Sequence, residues 1–330
     1  MRSRRAIMRT VAGLSLWVAV AGLATGCGQA GSQRPTHFQA RKPLKIGYSV
    51  YDLKDPYWQS YANGIHAEAA KLGIGVVQAD QQSSELAEVT TSQDLINQGI
   101  SALIVSPVEP AALTAIEDDA HARKIPVIIG DVGAVGKYDA FVQSANTGGG
   151  ALAARYLIGR LENRPGTKQI GVISLSPGNV SGVLRVNGFR GELAEHHDFR
   201  IVSTLSGNDE VEGGFTVAQD MLISHPDLAG IFAANDSEAE GAVQALAQQG
   251  RNGARNPIVV GFNGDAPALA LIQQHQMAAT VIQNPIGQGR TAVRAAIALL
   301  HGQRVAFTQP ASRTIDFPVR LYVGGSPQGG

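Results

Sequence analysis

Polar and aromatic side chains follow almost every short apolar run of this sequence, and their types suit hydrogen bonding rather than covalent chemistry. The set comprises carboxylates, amides, hydroxyls, a guanidinium and aromatic rings: Asp55, Tyr57, Trp58, Ser106, Asp131, Ser144, Arg185, Asp209, Asn235, Asn263 and Gln283. A ligand hydroxyl both donates and accepts hydrogen bonds, so such an array can hold a ring of hydroxyls in one orientation. Aromatic rings can lie flat on the C–H face of that ring. The set therefore predicts a site for a small polyhydroxylated molecule.

A second interpretation of the same residues stays open. Asp, Asn and Ser are common where a loop enters a helix, because they cap the helix N-terminus without any ligand. Capping explains Trp58, Arg185 and Gln283 less well, since these are not capping residue types. The set as a whole favours a binding site, while each Asp, Asn or Ser taken alone could be a cap.

The apolar runs that precede these residues are short and uninterrupted. Ten runs alternate with segments of helical spacing: Ile46–Tyr51, Val76–Ala79, Ala102–Val105, Val127–Ile129, Phe141–Val142, Ile170–Leu175, Ile201–Leu205, Ile231–Ala233, Ile258–Phe262 and Ala278–Ile282. Continuous apolar strands are typically buried on both faces, and repeated strand–helix units form parallel, doubly wound sheets. Ligands bind such sheets beyond the C-terminal ends of the strands, where the polar residues stand.

The number of strands and one break in the pattern predict two sheets rather than one. A polar, glycine-rich stretch follows a strand at Ser144–Thr147, and we place the change of sheet there. The helix after the first strand has clear boundaries. Asp55 is a good N-cap, Pro56 suits the first helical position, and Gly73 suits the left-handed position after the last turn.

The beginning of the chain has the pattern of a targeting segment. Positive charge precedes the apolar run Val11–Leu23, which is too short for a membrane span of ~20 residues, and small residues precede Cys27. This pattern resembles a bacterial lipobox, although Ala24 stands where leucine is usual. We expect a signal peptide over residues 1–26, lipidation of Cys27 and a flexible tether over residues 27–42. An ordinary secretory signal with an incidental cysteine is the alternative.

Composition and motifs argue against several other classes of function. The formal net charge is zero, so no basic face for nucleic acid is expected. The chain has a single cysteine, which excludes cysteine-based zinc sites and thiol catalysis in its body. It also lacks the Gly-x-Ser-x-Gly, His-Glu-x-x-His and P-loop motifs. We therefore expect a protein that is not an enzyme.

Two weaker motifs do not change this expectation. His196 and His197 are adjacent, so on a helix they point apart and do not form a metal pair. The stretch Gly148–Ala153 matches a loose dinucleotide fingerprint, but such a site needs an acidic residue about 20 positions later. The strand at that distance ends in Ser174 and Ser176 instead. The sequence therefore predicts neither a metal nor a cofactor.

Several short motifs stand in a specific order between about Leu44 and Val323. Among them are Asp55-Pro56-Tyr57-Trp58, Val105-Ser106-Pro107, Ile125-Pro126-Val127, Arg185-Val186-Asn187-Gly188-Phe189, Phe232-Ala233-Ala234-Asn235-Asp236, Val259-Val260-Gly261-Phe262-Asn263-Gly264 and Gln283-Asn284-Pro285. In this order they resemble the type I periplasmic solute-binding proteins of ABC importers, most closely the ribose-binding group. Each motif alone is modest, and the series is specific.

The resemblance implies an α/β fold of two doubly wound parallel-sheet lobes joined by a three-strand hinge. The chain would cross between the lobes near Ser144, Gln283 and Ser312. The expected N-terminal lobe comprises residues 43–144 and 284–312, and the expected C-terminal lobe comprises residues 145–283 and 313–330. Closure about the hinge would bury the ligand.

The resemblance also implies roles for the eleven residues given at the outset, which match the family's sugar contacts. The aromatic side chains of the first helix would sandwich the sugar ring. Asp131 and Arg185 would hold hydroxyl groups, and Asn235 and Gln283 would do so from the second lobe.

The chain departs from the ribose-type pattern at several positions. Val132 stands where that pattern has Arg, Asn263 stands where it has Asp, and Asp209 falls near a position that is aromatic in the family. Compared with the ribose-type pattern, this chain therefore lacks one guanidinium group. These changes favour a monosaccharide or polyol other than ribose.

The partners implied by the resemblance are an ABC permease with its ATPase, and a membrane reached through the lipid on Cys27. The protein is expected to be exported to the periplasm or cell surface and to be a monomer, with no nucleic-acid partner. A sensor subunit that docks on a membrane histidine kinase or chemoreceptor is the alternative. The LacI-type repressors share this fold, but they begin with a helix-turn-helix where this chain has a signal-like segment.

Overall fold

The computed structural model describes residues 43–133, 136–251 and 256–324. The expected signal peptide, Cys27 and the expected tether all lie outside these residues. Within them, the strands form two six-stranded sheets. No helix in the described ranges has the length and apolar character needed to cross a membrane.

The first sheet is formed by the N-terminal strand–helix units and one late strand. In chain order the elements are β1 (Lys45–Val50), α1 (Pro56–Lys71), β2 (Gly75–Asp80), α2 (Glu85–Asn97), β3 (Ala102–Val105), α3 (Leu113–Ala122), β4 (Val127–Gly130) and β5 (Ala140–Ser144). The late strand is β11 (Thr314–Phe317), which pairs with β5 at the edge. The order is β11-β5-β4-β3-β1-β2, and every pairing is parallel.

The second sheet repeats this arrangement. Its elements are α4 (Asn146–Leu161), β6 (Lys168–Ser174), α5 (Val180–Ala194), β7 (Phe199–Ser206), α6 (Val211–Ser224), β8 (Leu228–Ala233), α7 (Asp236–Gln248), β9 (Ile258–Asn263), α8 (Ala266–Gln273), β10 (Ala279–Ile282) and β12 (Arg320–Tyr322). The order is β12-β10-β9-β8-β6-β7. The strands are parallel except for β12, which pairs antiparallel with β10.

Helices cover both faces of each sheet, so the predicted pair of doubly wound lobes is confirmed. In the first lobe, α1 packs beside α9 (Pro285–Leu300) on one face, and α2 and α3 cover the other. In the second lobe, α4 packs with α5, and α6 packs with α7 on the opposite face. Strands β3 and β4 are buried along their whole length, as continuous apolar runs predict.

The described chain passes between the two sheets three times. It leaves the first sheet after Ser144, returns after Ile282, and leaves again between Phe317 and Arg320. The sequence placed the last crossing near Ser312 and assigned residues 313–330 to the second lobe. The structure places Thr314–Phe317 in the first sheet, because this strand pairs with the edge strand β5 and satisfies its open hydrogen-bonding groups.

Helix α1 begins and ends where its sequence predicts. The Oδ1 atom of Asp55 accepts a 2.7 Å hydrogen bond from the backbone N–H of Tyr57, and Pro56 occupies the first helical position. Gly73 follows with φ of 68°, the left-handed region that glycine adopts without strain. The cap fixes the start of the helix and therefore places the two aromatic side chains that follow.

Glycines allow two pairs of helices to pack with their backbones in contact. A Cβ atom on Gly188 of α5 would overlap the carbonyl oxygen of Thr147 in α4, and one on Gly150 would overlap the carbonyl oxygen of Arg185. A Cβ on Gly64 of α1 would likewise overlap a carbonyl oxygen of α9. The close α4–α5 contact sets the position of Arg185 relative to the second sheet.

Candidate functional site

A cavity of about 730 Å³ lies between the C-terminal ends of the strands of the two sheets. We call it the cleft, and side chains from both lobes line it. Nine of the eleven sequence-predicted residues contribute to its wall: Asp55, Tyr57, Trp58, Asp131, Arg185, Asp209, Asn235, Asn263 and Gln283. Residues from distant parts of the chain thus converge because the C-terminal strand ends of both sheets face the same space.

The remaining two predicted residues, Ser106 and Ser144, are buried and do not line the cleft. The Oγ atom of Ser106 lies 3.3 Å from the hydroxyl of Tyr48. The Oγ atom of Ser144 donates a 2.5 Å hydrogen bond to Oε1 of Gln283 and accepts one of 3.0 Å from Nε2 of Gln288. Both serines therefore bond to other side chains of the protein, and their roles as ligand contacts stay predictions.

An aromatic wall forms one side of the cleft. The ring of Trp58 stacks on Tyr51 with centroids 5.3 Å apart, and Tyr57 meets it edge-on at 5.0 Å. Burial raises the pKa of Tyr57 well above its ordinary value, so its hydroxyl stays protonated. That hydroxyl accepts a 3.2 Å hydrogen bond from Nε2 of Gln288. The wall offers a flat apolar surface with a neutral hydroxyl at its edge.

Asp131 directly follows β4 and is only 5% exposed. Its backbone is left-handed, with φ of 64°, and its carbonyl oxygen accepts a 2.9 Å hydrogen bond from Oγ of Ser181 in the other lobe. The carboxylate atom Oδ1 has no hydrogen-bond partner among the described residues. Burial raises the pKa of Asp131, while the charge of Arg185 acts in the opposite direction. A buried acceptor without a partner is unfavourable unless a donor reaches it.

Arg185 projects from α5 into the cleft wall and is 3% exposed. Its guanidinium lies 4.0 Å from the centroid of the Phe262 ring. Its hydrogen bonds within the described chain go to neutral oxygens: Oδ1 of Asn146 (2.9 Å), the carbonyl of Ala234 (2.8 Å), Oδ1 of Asn263 (3.3 Å) and Oε1 of Gln283 (3.3 Å). The guanidinium therefore organises the second-lobe wall as well as facing the cleft.

Amide side chains of the second lobe line the cleft, and one of them, Asn235, also caps a helix. Oδ1 of Asn235 accepts a 2.8 Å hydrogen bond from the N–H of Glu238 and so caps α7. Nε2 of Gln283 donates a 2.7 Å hydrogen bond to Oδ1 of Asn263. The two interpretations of the sequence are thus compatible at Asn235, as they are at Asp55.

Asp209 lies in a left-handed turn after β7, with φ of 67°. Its Oδ1 atom accepts a 3.1 Å hydrogen bond from the N–H of Ser176. Its own N–H donates a 3.2 Å bond to Oε1 of Glu238, which is buried behind the cleft. Burial raises the pKa of Glu238 to about 8, and the charge of Asp209 adds to this effect.

Asp265 and Glu240 also line the cleft and are not among the residues predicted from the sequence. Asp265 accepts a 3.1 Å hydrogen bond from Nδ2 of Asn263, and burial together with the charge of Asp236 raises its pKa to about 7. Asp265 stands two residues after the end of β9, so the strand-end rule could have found it. Glu240 lies within α7, where the sequence gives no such signal.

The chain matches a known family and several relatives of known function. Residues 46–304 match the family described as periplasmic binding protein domain. The chain is 32% identical over 289 residues to the ribose import binding protein of Bacillus subtilis (strain 168), covering 87% of this chain and 90% of the relative. It is 27% identical over 252 residues to the D-allose-binding periplasmic protein of Escherichia coli (strain K12), covering 73% of this chain and 80% of that relative.

Solved structures with bound ligands have the same fold. A myo-inositol binding protein of Caulobacter, bound to myo-inositol, has a TM-score of 0.74 and 29% identity, covering 87% of this chain and 95% of that chain. An ABC transporter periplasmic solute binding protein from Actinobacillus succinogenes 130z, with bound D-allose, has a TM-score of 0.77 and 25% identity, covering 85% and 97%.

Proposed function

The chain belongs to the periplasmic binding protein domain family, and from this premise we propose that it captures a monosaccharide or polyol between its two lobes and delivers it to an ABC importer. The family consists of binding proteins, and the chain is accordingly a binding component and not an enzyme. The relatives named for ribose and allose, and the structures that hold allose and myo-inositol, support this ligand class.

The observation that carries the proposal is the convergence of hydrogen-bonding groups from both lobes on one cleft. Asp55 and Asp131 come from the first lobe, and Arg185, Asn235 and Gln283 come from the second or from the crossing next to it. Beside them, Trp58 offers an aromatic surface for the C–H face of a ring. A ligand held by both walls stabilises the closed arrangement, because it bonds to both lobes only when they are close.

We further propose that export and anchoring follow the pattern at the N-terminus. A signal peptide over residues 1–26 would be removed, and Cys27 would carry the lipid that keeps the protein at the membrane as a monomer. Mass spectrometry of the mature protein tests this directly, since a diacylated N-terminal cysteine adds a defined mass. Co-purification with a permease, rather than with a histidine kinase or chemoreceptor, tests the partner.

The ligand class is tested by thermal unfolding of the purified protein with a panel of pentoses, hexoses and inositols. A ligand present at about 100 times its Kd stabilises the folded state by about 2.7 kcal/mol. At least one panel member is expected to produce such a shift. The proposal fails if no sugar or polyol raises the melting temperature of a correctly folded sample.

A further inference from the structure

The wall of the cleft carries much more negative than positive charge. Among the described residues that line it, the charged side chains are seven carboxylates and two cations: Asp52, Asp55, Asp131, Asp209, Glu210, Glu240 and Asp265 against Lys54 and Arg185. Residues 43–330 carry 27 acidic and 20 basic side chains, so the cleft accounts for five of the seven excess negative charges of this part of the chain. Carboxylates also accept hydrogen bonds from the hydroxyl groups of a neutral ligand, but an excess of this size favours a ligand that carries positive charge.

The carboxylates of the cleft are not neutralised by direct ion pairs. The ion pairs found within the described residues lie elsewhere, such as Glu68 with Arg294 and Lys168 with Asp198. Arg185, the cation buried in the wall, directs its N–H groups to neutral amide and carbonyl oxygens. The negative charge of the cleft is therefore available to a ligand.

Asp131 supplies an independent indication that a donor is missing. The residue is 5% exposed, it lines the cleft, and its Oδ1 atom has no hydrogen-bond partner in the described part of the chain. A buried carboxylate oxygen without a donor costs free energy, and a charged donor relieves that cost better than a neutral one. A ligand ammonium group meets this requirement.

The distribution of the carboxylates argues for an organic cation over a metal ion. Within the described ranges, no three acidic, histidine or cysteine side chains are close enough together to hold a metal. The negative charge is instead spread over both walls, with Asp131 in the first lobe and Asp209 and Asp265 in the second. The aromatic faces of Tyr51 and Trp58 attract a cation as well.

Negative charge on both walls also affects closure. When the lobes approach without a cation between them, carboxylates of the same sign are brought together and repel. A cationic ligand reverses the sign of this interaction, because it is attracted to both walls at once. Closure would thus select for a positive ligand as well as for a hydroxylated one.

Resting on the proposed function, we infer that the ligand of this cleft is a sugar or polyol that bears a protonated amino group, rather than a neutral one. The hydroxyl groups would bond to the amides and to Arg185, and the ammonium group would bond to the carboxylates.

Matched compounds that differ only at one nitrogen or oxygen test this inference. Titration calorimetry with the purified protein would compare D-glucosamine, D-glucose and N-acetyl-D-glucosamine, the corresponding galactose compounds, and an amino-inositol with myo-inositol. The amine of at least one set is expected to bind at least 10-fold tighter than its neutral partners. Its affinity is also expected to fall as NaCl is raised, because salt screens charge–charge attraction.

The outcomes separate the inference from the proposed function. Binding of neutral sugars or inositols with equal or weaker binding of their amines overturns the inference and leaves the proposed function standing. If no compound of either kind binds, both are overturned.

Two charge-removing variants locate the preference in the cleft. Asp209→Asn and Asp265→Asn keep side-chain volume, and each is expected to lower the affinity ratio of amine to neutral partner by about 10-fold while both variants still fold. Glu162→Gln, at an exposed helix end away from the cleft, is the matched control and is expected to leave the ratio unchanged. A ratio that is the same in all three variants would contradict the inference.

Discussion

The side chains of Ser144 and Gln283 bond to each other at the first two crossings between the lobes, with Oγ of Ser144 donating a 2.5 Å hydrogen bond to Oε1 of Gln283. Ser144 ends β5, and Gln283 follows β10 and lines the cleft. The same Oε1 atom accepts a 3.3 Å bond from Arg185. The crossing segments and the binding site therefore share one side chain, and a change at the crossing can alter the site without touching a ligand.

Replacing Ser144 with alanine is expected to weaken ligand binding severalfold, since Gln283 loses a fixed partner. The stability loss is expected to be about 1–3 kcal/mol, the net value of the two hydrogen bonds that the Ser144 hydroxyl makes with Gln283 and Gln288. Ser92→Ala is the matched control, because Ser92 is equally buried but its hydroxyl has no partner within the described residues. Titration calorimetry and urea unfolding measure the two effects. Unchanged affinity in Ser144→Ala would show that the Gln283 orientation does not depend on this bond.

Arg185 is expected to matter for stability as well as for binding. Arg185→Ala removes one donor from each of four oxygens, of which those of Asn263 and Gln283 keep a second donor, and it removes the guanidinium from the Phe262 ring. We expect the Arg185→Ala variant to have a free energy of unfolding in urea that is lower by about 3 kcal/mol or more. Arg190→Ala, on the exposed side of the same helix, is expected to lose less than about 1 kcal/mol. Equal stability of the two variants would refute the structural role of Arg185.

Asp131→Asn keeps the shape of the side chain and removes its charge. Burial raises the pKa of Asp131, so the neutral amide is expected to leave the unliganded protein as stable as before or slightly more stable. Ligand affinity is expected to fall by roughly 10- to 100-fold, because a hydrogen bond to a charged acceptor is lost. Calorimetry checks the affinity. If the variant keeps full affinity, Asp131 does not contact the ligand.

Glu238 gives the protein a pH dependence of known sign. Its pKa is raised by burial from 4.5 to about 8, so the folded state holds a proton that the unfolded chain releases. Stability is therefore expected to fall as pH rises from about 5 to 8. Glu238→Gln removes this loss. The free energy of unfolding of the variant is therefore expected to exceed that of the unchanged protein by a difference that grows from about pH 5 to about pH 8, to more than about 1 kcal/mol. Unfolding at several pH values measures it, with Glu162→Gln as control. A difference in unfolding free energy that is the same at all pH values would disprove the raised pKa of Glu238.

The glycine contact between α4 and α5 is expected to be sensitive to a single methyl group. Gly188→Ala places a Cβ against the carbonyl oxygen of Thr147 and is expected to destabilise the protein by about 1–3 kcal/mol, the usual cost of overpacking. Gly191→Ala, three residues later in the same helix, meets open space and is expected to stabilise by about 0.5–1 kcal/mol. Thermal unfolding compares them. Two variants of equal stability would argue against close α4–α5 packing.

The local features of this protein follow from residue type and spacing along the chain. Continuous apolar runs predicted the buried strands, and Asp55, Pro56 and Gly73 predicted the bounds of α1. Nine of the eleven residues predicted from the strand ends line the cleft, because parallel strands present their C-terminal ends at one edge. These features depend on spacing and residue type within a few positions, and such information is present in the chain before it folds.

Which neighbour each side chain contacts depends on the three-dimensional packing of the chain. It placed Thr314–Phe317 beside β5, turned Ser144 toward Gln283, and surrounded Arg185 with neutral oxygens instead of the cleft carboxylates. The pairing of a short edge strand and the burial of a polar group depend on segments far apart in sequence. Hydrogen bonding and desolvation are set by those distant neighbours, so spacing along the chain does not reveal them.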